Sequence, residues 1–239
     1  MLVGALGCHA IAQAAGLSIS PVVIEIDGPR KAVAVTVTNG SDRALTLQSD
    51  ARAWWQIEGR DNYEPTDELL VVPAIAEVPA NGSQVFRVAL RRPAPSPLER
   101  SYRLILEDIS NELSPPGGAS VAFKFVHSLP IMVAPSAKAL DAVRWKPCTA
   151  PASAASAQPV AEACVRLINA GNRRLKVQTI TLTGDGWQQA LSLQTGVNLL
   201  AGAEREWHVA LQAGQSGPLR GVQVQTAQGR TLQAETGGS

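Results

Sequence analysis

The chain has 239 residues, of which 45% are hydrophobic and 17% charged, and its formal net charge is +1. This is a globular composition without a basic field for nucleic acid or an acidic tail, and the length suits one large or two ordinary domains. Its 16 prolines and 20 glycines lie among short runs rich in valine and leucine, which favours an all-β fold.

Residues 1–15 are mostly small and apolar, and Ala12-Gln13-Ala14 has the small-x-small pattern of a signal-peptide cleavage site. We therefore expect an exported protein, with residues 1–15 forming part or all of its signal peptide. Cys8 follows Ala5-Leu6-Gly7, so a lipid anchor at Cys8 is the alternative. No other run approaches the roughly 18 apolar residues that a membrane-spanning helix needs.

Loss of the leader leaves two cysteines, Cys148 and Cys164. In an oxidising compartment an isolated pair of this kind predicts one disulfide. The bond would close a loop of about 15 residues rich in alanine, serine and proline, contributing ~3 kcal/mol in the loop-entropy model. Two free buried thiols are the alternative.

From Ser18 onward the chain is predicted to alternate strands with turns rich in glycine, proline and asparagine. The predicted strands of the first half are 19–26, 32–38, 44–55, 69–72, 84–90 and 100–109. The polar stretch 59–66 is predicted to be a loop. Short strands at this regular spacing are typical of a β-sandwich.

Residues 119–133 form the longest predicted strand, and they follow a loop at 110–118 that contains two prolines and two glycines. Side chains in a strand change face at every residue, so one face is apolar along its whole length. That face consists of Val121, Phe123, Phe125, His127, Leu129, Ile131 and Val133. Pro130 cannot donate a ladder hydrogen bond, which indicates a sheet edge or a bulge. Two interpretations stand: a core strand of the sandwich, or an edge strand that pairs with another chain.

The second half repeats features of the first. Asn39, Arg43, Leu45, Leu47 and Gln48 match Asn169, Arg173, Leu175, Val177 and Gln178 at one constant spacing. The repeat predicts two domains of one architecture, with a boundary near Pro135 where an Ala-Pro-Ser-Ala-Lys run interrupts the alternation. The predicted domains are therefore 16–135 and 136–239.

The residues that could carry catalysis are few and scattered. Outside the leader the only histidines are His127 and His208, and neither has the spacing of a metal ligand. Nucleophile-elbow, phosphate-loop and dinucleotide-binding motifs are absent from the sequence. We predict no enzyme, cofactor, metal site or small-molecule substrate.

The order of these segments resembles that of the periplasmic pilus-assembly chaperones of the chaperone–usher pathway. The segments that carry the resemblance are 20–26, 35–39, 69–75, 79–88, 99–109 and the alternating strand that ends at Pro135. Over 136–235 the resemblance is looser. Pro130 and the ending Leu-Pro-Ile-Met-Val-Ala-Pro look more like the divergent, archaic branch of that family.

The resemblance implies two immunoglobulin-like sandwiches in an L-shaped arrangement and a periplasmic location. It also implies donor-strand complementation, in which the chaperone lends its long strand to a pilin until an outer-membrane usher inserts the next subunit. The donor residues would be Val121, Phe123 and Phe125, with Ala119 at the outer end. The loop 110–118 would move on binding, and an exposed edge strand also predicts self-association.

One pair of positions departs from the family pattern. Well-studied members bind the pilin's terminal carboxylate with an Arg on the first strand and a Lys on the long strand. The matching positions here are Val23 and Pro130, which cannot bind an anion, and Arg103 and Lys124 are the cations nearby in sequence. Two other functions therefore stay open: a structural or adhesion module at the cell surface, and a chaperone-like protein that has lost pilin binding.

Overall fold

A computed structural model describes residues 16–28, 30–91, 95–110, 125–149 and 162–237, and these residues form seventeen β-strands. The predicted all-β fold class is confirmed. None of the described residues belongs to a helix long and apolar enough to cross a membrane. The predicted leader, residues 1–15, lies outside the described residues.

Residues 17–133 build two sheets. The first contains, in spatial order, β1 (Leu17–Ser20), β3 (Ala32–Asn39), β8 (Ser83–Leu90) and β6 (Leu69–Val72). The second contains β2 (Ile24–Ile26), β10 (Val126–Val133), β9 (Arg100–Asp108), β4 (Leu45–Ile57) and β5 (Arg60–Pro65), with β7 (Ile75–Val78) also paired to β4.

Alternation along these strands turns one face of each sheet inward, where the apolar side chains form a common core. From the first sheet this core takes Val35, Val37, Phe86 and Val88, and from the second Leu47, Leu104, Leu106 and Ile131. All eight side chains are fully buried. The first half of the chain is thus a sandwich of two sheets.

Residues 143–236 build a second sandwich from one continuous order of seven strands. That order is β14 (Trp187–Leu199), β13 (Leu175–Gly184), β16 (Leu219–Thr226), β17 (Thr231–Thr236), β11 (Val143–Pro147), β12 (Glu162–Asn169) and β15 (Glu204–Ala210). The two end strands, β14 and β15, lie against each other and close the structure around its own core. That core includes Val165, Leu167, Val177, Ile180, Leu182 and Val224.

Met132 and Trp54 of the first sandwich pack into the core of the second. Two sets of polar contacts between described residues also join the sandwiches. In one, Gln56 on β4 accepts a hydrogen bond from the Leu200 N–H (3.0 Å) and donates one to the Asn198 carbonyl (2.9 Å). In the other, Arg174 binds Glu25 and Glu99, with a nitrogen–oxygen distance of 2.8 Å to each. The exact domain limits, including the boundary near Pro135, stay a prediction from the sequence.

Two details differ from the sequence-based expectation. The predicted strand 19–26 is two strands, because the chain leaves the first sheet after Ser20 and enters the second at Ile24. Pro21, at the break, has no N–H for either ladder. The predicted loop at 59–66 contains strand β5, which pairs with β4 through a tight turn where Glu58 and Gly59 adopt positive φ. Pairing with β4, rather than apolar periodicity, holds this polar strand.

Candidate functional site: the open edge of strand β10

Strand β10 has different neighbours along its two sides. It pairs with β9 over its whole length, from Val126 opposite Glu107 to Val133 opposite Arg100. On its other side it pairs with β2 only from Ile131 to Val133. From Val126 to Pro130, therefore, none of the described strands pairs with this side. We call residues 126–130 the open edge.

The direction of the backbone groups along the open edge follows from one hydrogen bond. The Asp108 N–H donates to the Phe125 carbonyl at 2.9 Å, which makes these two residues a hydrogen-bonded pair of the antiparallel ladder. Such pairs alternate, so residues 127 and 129 also direct their backbone groups at β9. Val126, Ser128 and Pro130 direct theirs away from β9. Pro130 has no N–H, and an N–H at this position would point to the open edge and not to β9. The proline therefore removes no hydrogen bond between β10 and β9.

The side chains of β10 divide between the core and solvent. Leu129, Ile131 and Val133 are buried in the first core, as the predicted apolar face requires. Phe125 and Val126 are large and apolar, yet 60% and 54% exposed. Exposed apolar side chains next to unpaired backbone groups are the features to which another strand can be added.

The predicted donor residues lie at and beyond the start of this strand. Phe125 is described, whereas Ala119, Val121 and Phe123 lie outside the described residues, as do Lys124 and most of the loop 110–118. The chain that leads into this segment is well fixed. The Thr46 N–H donates to the Ser110 hydroxyl at 2.7 Å, and the Ile109 N–H donates to the Thr46 carbonyl at 2.9 Å.

The two uncharged positions, Val23 and Pro130, each come just before the pairing of β2 with β10 begins. Ile131 is opposite Ile24 in the register of these strands, and Val23 itself lies outside β2. On the other side of Pro130, directly opposite it, is Arg103 of β9. The sequence placed Arg103 among nearby cations without assigning it a role. The strand register therefore places a cation opposite one of the two uncharged positions.

The Arg103 guanidinium rests on aromatic rings. Its Cζ atom lies 3.9 Å from the centroid of the Trp54 ring and 5.9 Å from that of Tyr63, within cation–π range. Its Nη1 is 3.5 Å from the Ser128 carbonyl oxygen, and its buried Nε has no hydrogen-bond partner among the described residues. Burial raises the pKa of the Tyr63 hydroxyl, and the charge of Arg103 acts against that rise. Arg103 is a cation at the end of the open edge.

The predicted disulfide is present in the second sandwich. Cys148 and Cys164 are bonded, with their Cα atoms 5.0 Å apart. In the part of the chain that the structure describes, the one cluster of three side chains with metal-ligand atoms is formed by these two cysteines and Glu206. Because the two sulfurs are bonded to each other, this cluster does not offer thiolate ligands.

Comparison with solved structures shows the same fold in known chaperones. The chain matches the chaperone–tip adhesion subunit pre-assembly complex CsuC–CsuE of the archaic Csu pili of Acinetobacter baumannii with a TM-score of 0.69 and 18% identity, over 94% of this chain and 100% of that chain. It matches the E. coli chaperone DraB with a TM-score of 0.58 and 16% identity, over 92% and 97%. It matches the complex of the Salmonella enterica SafA pilin with the SafB chaperone with a TM-score of 0.58 and 12% identity, over 93% of this chain and 97% of that chain.

At these identities the likeness is one of fold, and it confirms the predicted pair of immunoglobulin-like sandwiches. A comparison with curated protein sequences gives no significant match. The model of the family described as pili and flagellar-assembly chaperone, PapD N-terminal domain, matches residues 16–139, which is more than half of the chain. The chain therefore belongs to the PapD-type family of pili and flagellar-assembly chaperones.

Proposed function

We propose that this protein is a non-enzymatic periplasmic chaperone that binds pilin subunits by donor-strand complementation and delivers them to an outer-membrane usher. The observation that carries the proposal is the open edge of β10, where backbone groups that none of the described strands pairs with adjoin the exposed Phe125 and Val126. Known complexes of similar fold support it, because one holds a tip adhesion subunit and another a pilin.

The binding energy would come from both the backbone and the side chains. An incoming strand would bond to the groups of Val126 and Ser128 that point away from β9, which gives affinity without regard to sequence. The proposed donor side chains Val121, Phe123 and Phe125, with Ala119 at the outer end, would enter the subunit's incomplete core. Burying each of the three larger ones contributes roughly 1.5–3 kcal/mol. The ordering of the segment on binding offsets part of this gain.

Arg103 is our candidate for holding the subunit's terminal carboxylate in place of the uncharged Val23 and Pro130. It lies opposite Pro130, where the open edge ends and the pairing of β10 with β2 begins. Its contacts with Trp54 hold the guanidinium in place, and a guanidinium presents paired N–H donors to a carboxylate. A chain added along β10 would thus end beside a positive charge.

A structural or adhesion module would need residues 121–133 fully paired within its own sheet. Over Val126–Pro130 the described strands leave one side of β10 unpaired, which favours the chaperone. The same edge makes self-association of the free protein the second use of this surface, since a second copy can add a strand as a pilin does.

The proposal is tested by co-purification of a candidate pilin from the periplasm with three chaperone variants. Val121, Phe123 and Phe125 are replaced together by Asp to remove the donor side chains. Ser128→Pro removes one N–H of the open edge and no bond to β9. Ser128→Ala is the matched control, because it changes the side chain and keeps the N–H.

We expect wild type and Ser128→Ala to bring down a one-to-one complex, and the triple Asp variant and Ser128→Pro to bring down little or none. Circular dichroism should show all four proteins folded, since Pro130 already occupies an equivalent position in the same strand. Equal pilin recovery with wild type and folded Ser128→Pro would show that the open edge does not form backbone hydrogen bonds with the pilin. Equal recovery with the folded triple variant would exclude residues 121–125 as donors.

A further inference from the structure

The second sandwich carries a row of three chemically active side chains that the proposed function does not use. Cys164 on β12 lies opposite His208 on β15, and continuing the register of β11 and β12 by one residue places Cys148 opposite Cys164. The Cys148 N–H donates to the Cys164 carbonyl at 3.2 Å, which fixes that side of the row. A disulfide and an imidazole thus lie side by side on one sheet.

The contacts distinguish the two sulfurs. The Cys164 Sγ lies 4.0 Å from Nε2 of His208 and is buried, with 6% of the residue exposed. Cys148, which is bonded to Cys164, is only half-buried. His208 itself is exposed, with 37% of its side chain accessible, and its Nδ1 lies 4.0 Å from a carboxylate oxygen of Glu162. Cys148 is thus the more exposed of the two cysteines, and the sulfur of Cys164 is the one next to an imidazole.

We propose that Cys148–Cys164 is an exchangeable disulfide in which external thiols attack Cys148 and Cys164 departs as a thiolate stabilised by protonated His208. The thiolate of an external dithiol forms a bond to the Cys148 sulfur while the Cys148–Cys164 bond breaks, and its electron pair stays on Cys164. The second thiolate of the dithiol then displaces Cys148. The protein gains two electrons, the dithiol becomes a cyclic disulfide, and the two cysteine thiolates take up protons according to their pKa values.

Two carboxylates lie close to this row of side chains. A carboxylate oxygen of Glu162 lies 4.0 Å from Nδ1 of His208. Glu206 lies within 4.8 Å of both sulfurs and would oppose a thiolate, but its carboxylate binds Arg166, whose Nε is 3.0 Å away. An imidazolium beside the leaving sulfur lowers the pKa of that thiol, and a leaving thiol of lower pKa leaves faster.

The test is the rate at which the oxidised full-length protein is reduced by dithiothreitol, followed by quenching with an alkylating reagent and mass analysis. The variants are His208→Ala and His208→Lys. The attacking thiolate changes with pH in the same way for every protein, so the ratio of each variant's rate to that of wild type is compared at about pH 6 and about pH 9, on either side of the usual histidine pKa.

We expect His208→Ala to be reduced about tenfold more slowly than wild type at about pH 6 and at nearly the wild-type rate at about pH 9. His208→Lys, which keeps a positive charge at both values, should be reduced as fast as wild type at the lower pH and faster at the higher.

The attacked sulfur is identified separately. Wild type is mixed with reduced glutathione and quenched with acid, and peptide mapping should locate the mixed disulfide on Cys148. A glutathione adduct on Cys164, or equal rates for wild type and folded His208→Ala at about pH 6, would overturn the proposal. Circular dichroism on each variant checks that the second sandwich remains folded, so a change in rate is not a consequence of unfolding.

Discussion

Asn39 and Asn169 are buried side chains that make the same contacts in the two sandwiches. Only 1% of Asn39 and none of Asn169 is exposed. The amide nitrogen of Asn39 donates to the Arg43 carbonyl at 2.7 Å, and that of Asn169 donates to the Arg173 carbonyl at 2.8 Å. Each side-chain oxygen accepts a backbone N–H two residues on, at 3.0 Å in both cases. Each Asn therefore closes the turn that follows its strand.

We expect Asn39→Ala and Asn169→Ala each to lower the free energy of unfolding by about 2–4 kcal/mol, because buried carbonyl and N–H groups lose their partners. Urea denaturation would measure the change. Asn62→Ala is the control: its hydrogen bond to the Arg60 carbonyl lies in an exposed position, so its removal should have little effect. A loss below about 1 kcal/mol in either buried variant would mean that water replaces the lost partner.

Arg103 gives a prediction about binding. A synthetic peptide of the pilin's last strand should bind wild type more tightly as the free acid than as the amide, by roughly 10- to 100-fold, the range of a charged hydrogen bond. Arg103→Met keeps the length of the side chain and should abolish the difference. Arg103→Lys keeps the charge but not the paired donors, and should retain part of it. Isothermal titration calorimetry measures the affinity of each of the three proteins for each of the two peptides.

If Arg103→Met still prefers the free acid to the same extent as wild type, another cation holds the carboxylate. The sequence alone could not single out Arg103, since its proposed role rests on its position opposite Pro130 on the neighbouring strand. The paired asparagines, by contrast, could be found from the sequence, because each is part of a repeated local pattern.

Strand β10 shows what alternation along a sequence can and cannot predict. The inward positions Leu129, Ile131 and Val133 and the edge position of Pro130 follow from local chemistry. Met132 was expected on the opposite face, yet it is 2% exposed because it packs into the core of the second sandwich together with Trp54. A side chain buried by a remote part of the chain leaves no periodic signal of its own.

The same limit explains the two incorrect elements. A change of sheet between Ser20 and Ile24 leaves the apolar alternation almost unbroken, so 19–26 looked like one strand. Strand β5 is polar on both faces and is held by pairing with β4, so periodicity gave no reason to predict it. Fold class, most strands and the 126–133 part of the long strand could be predicted, whereas sheet membership could not.

The whole molecule depends on how the two sandwiches are joined, and Gln56 is the simplest point to test. Its amide makes two hydrogen bonds to the backbone of β14 and the residue that follows it. We expect Gln56→Ala to lower the total free energy of unfolding by about 1–3 kcal/mol, and to separate the unfolding of the two sandwiches in calorimetry.

Gln194→Ala is the matched control. Gln194 is an exposed residue of β14, the strand that Gln56 contacts, so its replacement should leave the thermogram unchanged. The ion pairs of Arg174 with Glu25 and Glu99 would remain in Gln56→Ala as the second connection. A single, unshifted transition in Gln56→Ala would show that the remaining contacts, the Arg174 ion pairs and the packing of Met132 and Trp54, are sufficient to couple the sandwiches.

The short contact between β2 and β10 has a kinetic consequence for the proposed function. Beyond Pro130 the position beside β10 is occupied by Ile24–Ile26, so an incoming strand meets a fixed stop at that level. Its contacts nearest the stop form next to Ile131–Val133, where β10 is paired on both sides, and those farther away form where β10 is held on one side only. We therefore expect the incoming strand to form its first hydrogen bonds next to Pro130 and then to pair progressively toward Phe125. Replacement of that strand by another should begin at the Phe125 end, which is held less firmly.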